Sequence, residues 1–214
     1  MSEAFDANLP GHLVSRLIHD LMGPATGLVS GLSLMRDPSA GAPREEALAL
    51  VEASAETLLG LLNFYRAAYG AGDGAMGAAE LESLVAALFT GGRARLEWLV
   101  VDALPGPAAR ALLGLSQIAA GALAAGGVAT VTVERTGDGA GIKILARGVR
   151  VGLAEETARG LAGLAFAEGR AGRWAPAFHL ARRIEMAGGR LGVHATPAGP
   201  DGDGALSLQA VFPT

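Results

Sequence analysis

The chain reads as an α+β protein, with an N-terminal helical hairpin followed by a two-layer α/β sandwich. Three observations predict this. Residues 9–69 hold two long stretches in which apolar residues recur at intervals of three, four and seven, the spacing of amphipathic helices. Helical and strand patterns alternate from about residue 79 onward. Glycine-rich turns, GDGAG at Gly137–Gly141 and AGPDGDG at Ala198–Gly204, then join neighbouring strands as hairpins.

The first helix is expected over Leu9–Arg36, with Asn8 as N-cap, Pro10 in the first turn and Asp37-Pro38 as the stop. Asp37–Pro43 forms a turn. The second helix is expected over Arg44–Tyr69, with Glu45 and Glu46 at its positive end and Gly70 closing it. Leu13, Leu17, Leu21, Leu28, Leu32 and Met35 make the apolar stripe of the first. Val51, Ala55, Leu58, Leu62, Tyr65 and Tyr69 make that of the second. Two helices bury little by themselves, so the hairpin is expected to pair with a second copy as a four-helix bundle.

Ala71–Gly77 (AGDGAMG) is the clearest boundary, dividing a hairpin of residues 1–72 from a sandwich of residues 73–214. Beyond it the pattern predicts helices over Ala79–Phe89, Gly106–Ala125, Leu153–Ala165 and Ala175–Ala187. Strands are expected over Arg95–Val101, Val128–Arg135, Gly141–Ala146, Arg190–Ala195 and Ala205–Phe212. Helices and a mixed sheet in this order form two layers.

Composition narrows the function. The 214 residues are enough for one or two domains, and 50% are hydrophobic, which supplies a core. A net charge of −4 is too mild to argue for nucleic acid or an anionic membrane. Without cysteine there is no disulfide or thiol chemistry, which fits a reducing cytoplasm. The N-terminus MSEAFDANLP has neither basic nor apolar signal regions, and no apolar run approaches the ~18 residues that span a bilayer. A cytoplasmic protein is expected.

The most informative stretch is SRLIHDLMGP, residues 15–24. With about 100° of rotation per residue, His19 lies about 200° from Leu17, nearly opposite the apolar stripe. It shares that outer face with His12, Ser15, Thr26, Ser30 and Ser33. A neutral imidazole attacks phosphorus, and a neighbouring carboxylate, Asp20, orients the ring, steadies its cation and serves as general base. Pro24 removes a backbone donor one turn below. The remaining histidines lack this setting: His12 and His194 read as surface residues and His179 as helical, with no metal-ligand spacing among them.

This stretch resembles the H-box of two-component signalling proteins, and the second region resembles the ATP-binding domain of histidine kinases in element order. The motifs that hold ATP there are missing. At the two positions of an Asn-x-x-x-Asn pattern stand Gln117 and Gly121. Where Asp-x-Gly-x-Gly would end a strand, Ala146 replaces the acid and Arg150 the second glycine. In place of a glycine-rich phosphate loop the chain has Trp174, Pro176 and Phe178.

An H-box hairpin joined to such a domain resembles the ChpT-like histidine phosphotransferases of alphaproteobacteria, most specifically in SRLIHDLMGP, GLVSGLSLM, LLNFYRAAYGAG and APAFHLARRIEMAGG. The resemblance implies a homodimer relaying a phosphoryl group between receiver-domain aspartates. His19 would be the phosphorylated residue and Asp20 its acid neighbour. It implies no cofactor of the chain's own, the Mg²⁺ belonging to the receiver. Residues 1–72 would serve dimerisation and phosphotransfer, and 73–214 would be a degenerate kinase-like domain that binds no ATP. The receiver is expected on the first helix around Arg16, Met22, Gly23, Thr26 and Val29, with a lateral contact from the second region. Arg66 would serve the helix dipole, and Arg182 and Arg183 would be solvated helix charges. Two other readings stand beside this one: an ATP-dependent kinase with divergent nucleotide motifs, and a non-catalytic scaffold or kinase inhibitor.

Overall fold

The computed structural model describes residues 8–36, 43–136, 139–167, 169–196 and 203–213. The expected turn at Asp37–Pro43, except for its last residue, the N-terminal heptapeptide and most of the turn at Ala198–Gly204 lie outside these residues.

Helices α1 (Leu9–Arg36) and α2 (Arg44–Tyr69) form the predicted hairpin, and α1 runs unbroken through Pro24. Their seam depends on glycine. Gly31 is buried, and a Cβ there would meet Val51 Cγ2 at 2.7 Å and the Ala47 carbonyl oxygen at 3.0 Å. Gly31→Ala is therefore expected to lower stability by about 1–3 kcal/mol through overpacking, against about 1 kcal/mol of improved helix propensity. Urea denaturation measures this, and an unchanged midpoint would show that the two helices separate freely at that level.

The seam differs from the predicted stripe. On α2 the buried residues are Ala47, Ser54, Phe64, Tyr65 and Ala68, while Leu62 stands 47% exposed and Ala55 is open. Leu32 of α1, expected inside, is also exposed. The reason is that both helices carry two apolar faces. Val14, Ile18, Met22 and Val29 form an exposed second face on α1, and Leu48, Leu59 and Leu62 one on α2. One stripe drawn through both sets averages them. By length and apolarity α2 alone among the described helices passes as a membrane span, with mean hydropathy 1.4, but it also carries exposed Glu52, Glu56 and Arg66.

The second region contains α3 (Ala78–Ala86), β1 (Ala94–Trp98), α4 (Gly106–Ala122), β2 (Gly127–Thr136), β3 (Gly139–Gly148), α5 (Glu155–Leu161), α6 (Ala171–Met186), β4 (Arg190–Thr196) and β5 (Gly204–Pro213). The sheet has five strands in the order β1-β2-β3-β5-β4; β1 runs parallel to β2 and the other pairs are antiparallel. Alternation sends Ala129, Val131, Ile142, Ile144, Leu206, Leu208 and Ala210 to one face, where they meet Leu112, Leu113 and Leu115 of α4. Gly126 and Gly127 turn the chain from α4 into β2 with φ of 108° and 133°, a region that side chains avoid.

α3 and α4 end three residues short of expectation, at Ala86 and Ala122, and two further helices depart more. α5 is short: it ends at Leu161, is capped by Ala162, and the chain then turns at Gly163 with φ 67°. α6 begins at Ala171 rather than Ala175 and contains Pro176 within it. Trp174 is fully buried, stacks on Phe178 at 4.6 Å and donates its indole N–H to the Leu164 carbonyl at 2.9 Å. That burial draws the preceding turn into the helix, overriding the local preference set by the proline.

Candidate functional site

His19 stands on the outer side of α1 with its side chain 80% exposed, where the angular argument puts it. Its Nδ1 lies 3.2 Å from Asp20 Oδ1. The other oxygen of Asp20 accepts two hydrogen bonds, from the Tyr65 hydroxyl at 2.7 Å and from Arg16 Nε at 2.8 Å. Asp20 is only 17% exposed, so its carboxylate is fixed from within the hairpin while one edge faces the imidazole. A carboxylate held this way selects the tautomer with the proton on Nδ1 and leaves the Nε2 lone pair toward solvent. Chemically, such an arrangement can serve as a pre-oriented nucleophile with a built-in counter-charge.

Pro24 contributes to the same point. It has no N–H, so the Asp20 carbonyl lacks its usual helical donor one turn on.

Tyr65 is the residue that sequence reasoning missed. Burial, then its hydrogen bond to Asp20 and that residue's charge, push its hydroxyl pKa far above the usual phenol range, so it stays a donor at neutral pH. Behind it Tyr69, raised first by burial, donates to Gln117 Oε1 at 2.6 Å. The two tyrosine rings lie 6.1 Å apart. Tyr65 is far from Asp20 in the chain, and periodicity alone places it in an apolar stripe. The Arg16–Asp20 pair, by contrast, has readable i,i+4 spacing.

Among the residues expected to meet a partner, Gly23 and Thr26 are exposed, and a Cβ on Gly23 would meet nothing within 4 Å. Met22 and Val29 are exposed on the second apolar face, beside Val14 and Ile18. Arg16 is engaged by Asp20.

Several expectations need correction. His12 is half-buried, its ring 5.6 Å from Phe166 and 6.3 Å from Trp174. Arg183 is half-buried near Arg110 rather than solvated, whereas Arg182 does lie exposed, paired with Glu185 at 2.7 Å. His194 is exposed and His179 helical, as read.

Of the positions compared with nucleotide motifs, Gln117, Gly121, Arg150 and Pro176 lie around one cavity, whereas Ala146, Trp174 and Phe178 are buried in the cores. Gln117, Gly121, Arg150, Pro176 and Arg16 line a space of about 640 Å³ between α4, α6 and the segment after β3. Gln117 is held by Tyr69, and Ala146 is an aliphatic side chain fully buried in the sheet. No group of three or more possible metal-ligating side chains occurs among the described residues.

The family model for the histidine phosphotransferase C-terminal domain matches residues 78–199, and the chain belongs to that family. The protein phosphotransferase ChpT of Brucella abortus (strain 2308) is 29% identical over 126 residues, 57% of this chain. The match spans 59% of the length of that relative. Among solved structures, a bacterial phosphotransferase is 25% identical with a TM-score of 0.77, over 97% of this chain and 98% of the other. The family match falls in the second region, whereas the structural likeness takes in the hairpin that carries His19 as well.

Proposed function

We propose that the protein is a histidine phosphotransferase in a two-component phosphorelay. His19 takes a phosphoryl group from a receiver-domain aspartate and passes it to another receiver's aspartate. The observation that carries this reading is the exposed His19 imidazole, held at Nδ1 by a carboxylate that Tyr65 and Arg16 fix in turn.

In the first step Nε2 attacks the phosphorus of an aspartyl phosphate. The N–P bond forms, the P–O bond to the acyl group breaks, and the receiver's carboxylate leaves with the electron pair. The ring becomes a phosphorylated imidazolium that keeps its Nδ1 proton, and Asp20 lies beside that charge. The second step runs the same exchange onto another aspartate, so no proton need enter or leave. Mg²⁺ is supplied by the receiver.

The exposed faces of Val14, Ile18, Met22 and Val29 on α1 and Leu48, Leu59 and Leu62 on α2 suit a homodimeric four-helix bundle. With Met22 and Val29 on that seam and Arg16 bound to Asp20, Gly23 and Thr26 become the receiver's approach below His19. Small side chains there let another helix come close. Residues 73–214 act as a lateral docking body rather than a kinase domain. Gly121 offers no ligand for Mg²⁺, and Ala146 no acceptor for an adenine amine. The protein works in the cytoplasm, without nucleic acid or membrane.

The test is incubation with a phosphorylated receiver domain. Acid-labile, base-stable label on this chain is expected, with none from ATP alone. Label gained from ATP without a partner would instead establish a kinase. Tyr65→Phe removes one of Asp20's two anchors, and hydrogen bonds to charged groups contribute about 1.5–3 kcal/mol. Transfer is expected to slow roughly tenfold or more, measured by quench-flow with one receiver. Unchanged rates would mean that Arg16 alone positions the carboxylate.

A further inference from the structure

A small pocket lies away from His19, between the last turn of α2, α4 and α6. Tyr69, Arg110, Gly114, His179, Leu180 and Arg183 are among the residues that line it, and among the described residues no carboxylate does. Arg110 is only 6% exposed, yet its Nε and Nη1 have no hydrogen-bond partner among the described residues. His179 Nε2 is buried and likewise unpaired. Arg183 reaches the same space from α6. Burial and then the nearby Arg110 charge hold its pKa below the usual arginine value. A buried cation is normally paired with an acid or satisfied by hydrogen bonds. Among the described residues Arg110 has neither at Nε and Nη1, and the half-buried Arg183 guanidinium lies in the same pocket.

We propose that this pocket binds a single halide-sized anion, chloride, between Arg110 and Arg183. Its volume of about 20 Å³ admits one small occupant and excludes sulfate or a phosphate ester. A lone water would satisfy donors but leave the buried Arg110 charge uncompensated. Chloride accepts hydrogen bonds from Arg110 Nε and Nη1 and opposes both charges. His179 carries little charge at neutral pH, since burial and then Arg183 push its pKa down to about 4, and in its Nε2–H tautomer it is a further donor. The bound ion ties α4, through Arg110, to α6, through Arg183 and His179. This proposal is independent of the role given to His19.

The experiment is thermal unfolding of the full chain at pH 8 and constant ionic strength, with sodium gluconate replaced stepwise by sodium chloride. Gluconate is too large to enter. A saturable rise of Tm with chloride is expected, as binding to the folded state requires, and Arg110→Met should abolish the rise. Crystals soaked in sodium bromide should show an anomalous peak within hydrogen-bond distance of Arg110 Nε or Nη1. Should Arg110→Met fail to fold, Arg183→Gln is expected to weaken the chloride response, and an unchanged response in that variant overturns the proposal. Equal Tm in chloride and gluconate overturns the proposal, as does water alone at Arg110. A bromide peak without chloride-dependent stabilisation marks an adventitious ion only and overturns it too.

Discussion

His19→Ala is expected to abolish phosphotransfer altogether while leaving fold and oligomeric state unchanged. The loss is complete because no other imidazole can take over. His12 is packed against Phe166 and Trp174. His179 sits in a pocket with its ring 5.4 Å from Tyr69. His194 is exposed on β4 but has no hydrogen-bonded carboxylate among the described residues. The fold is spared because the His19 side chain is 80% exposed, and surface replacements of this kind change stability by less than about 0.5 kcal/mol. Acid-quenched label from a phosphorylated receiver, read beside urea denaturation and sedimentation of the same variant, separates the two effects. Label retained on the variant would remove His19 from the reaction. Asp20→Asn is the companion: it keeps the shape but leaves Arg16 without its ion-pair partner, so slower transfer with some loss of stability is expected.

Much of this site was legible because its chemistry is written in adjacent residues. His19 and Asp20 follow one another, and the rotation per residue fixes which way the imidazole faces. The ends of α1 and α2 were equally legible, since Pro10 opens one and Gly70 closes the other. What could not be read depends on contacts across the chain. Tyr65 reaches Asp20 from the other arm of the hairpin, and an aromatic residue in an apolar stripe gives no sign that its hydroxyl has a charged partner. The faces of α2 were misassigned because one side packs on α1 while another, equally apolar, is open, and periodicity does not tell two overlapping faces apart. His12 was misread for a related reason. Its helical position allows exposure, and it is covered only because the segment around Phe166 and the start of α6 fold over it.

That cover leads to the largest expected effect on stability. Trp174 is fully buried; with Ala175 and Phe178 it forms a small core against Leu9, Leu13 and Phe166, separate from the main one under the sheet. Replacing it with alanine removes the indole from between α6 and the first turns of α1, and leaves the Leu164 carbonyl without its donor. Truncating a buried tryptophan typically costs about 3–5 kcal/mol, a large share of the roughly 5–15 kcal/mol that holds a domain folded. Trp174→Phe keeps most of the apolar surface and loses mainly the hydrogen bond, so a loss of about 1–2 kcal/mol is expected. Because this cluster joins the start of α1 to α6, Trp174→Ala should also loosen the turn leading to Arg16 and hence one of the two anchors on Asp20. Hydrogen exchange along residues 9–16 should therefore quicken in Trp174→Ala and stay slow in His19→Ala. Equal protection in both variants would mean that the main core alone secures the hairpin, and that the arginine beside the imidazole owes nothing to the tryptophan.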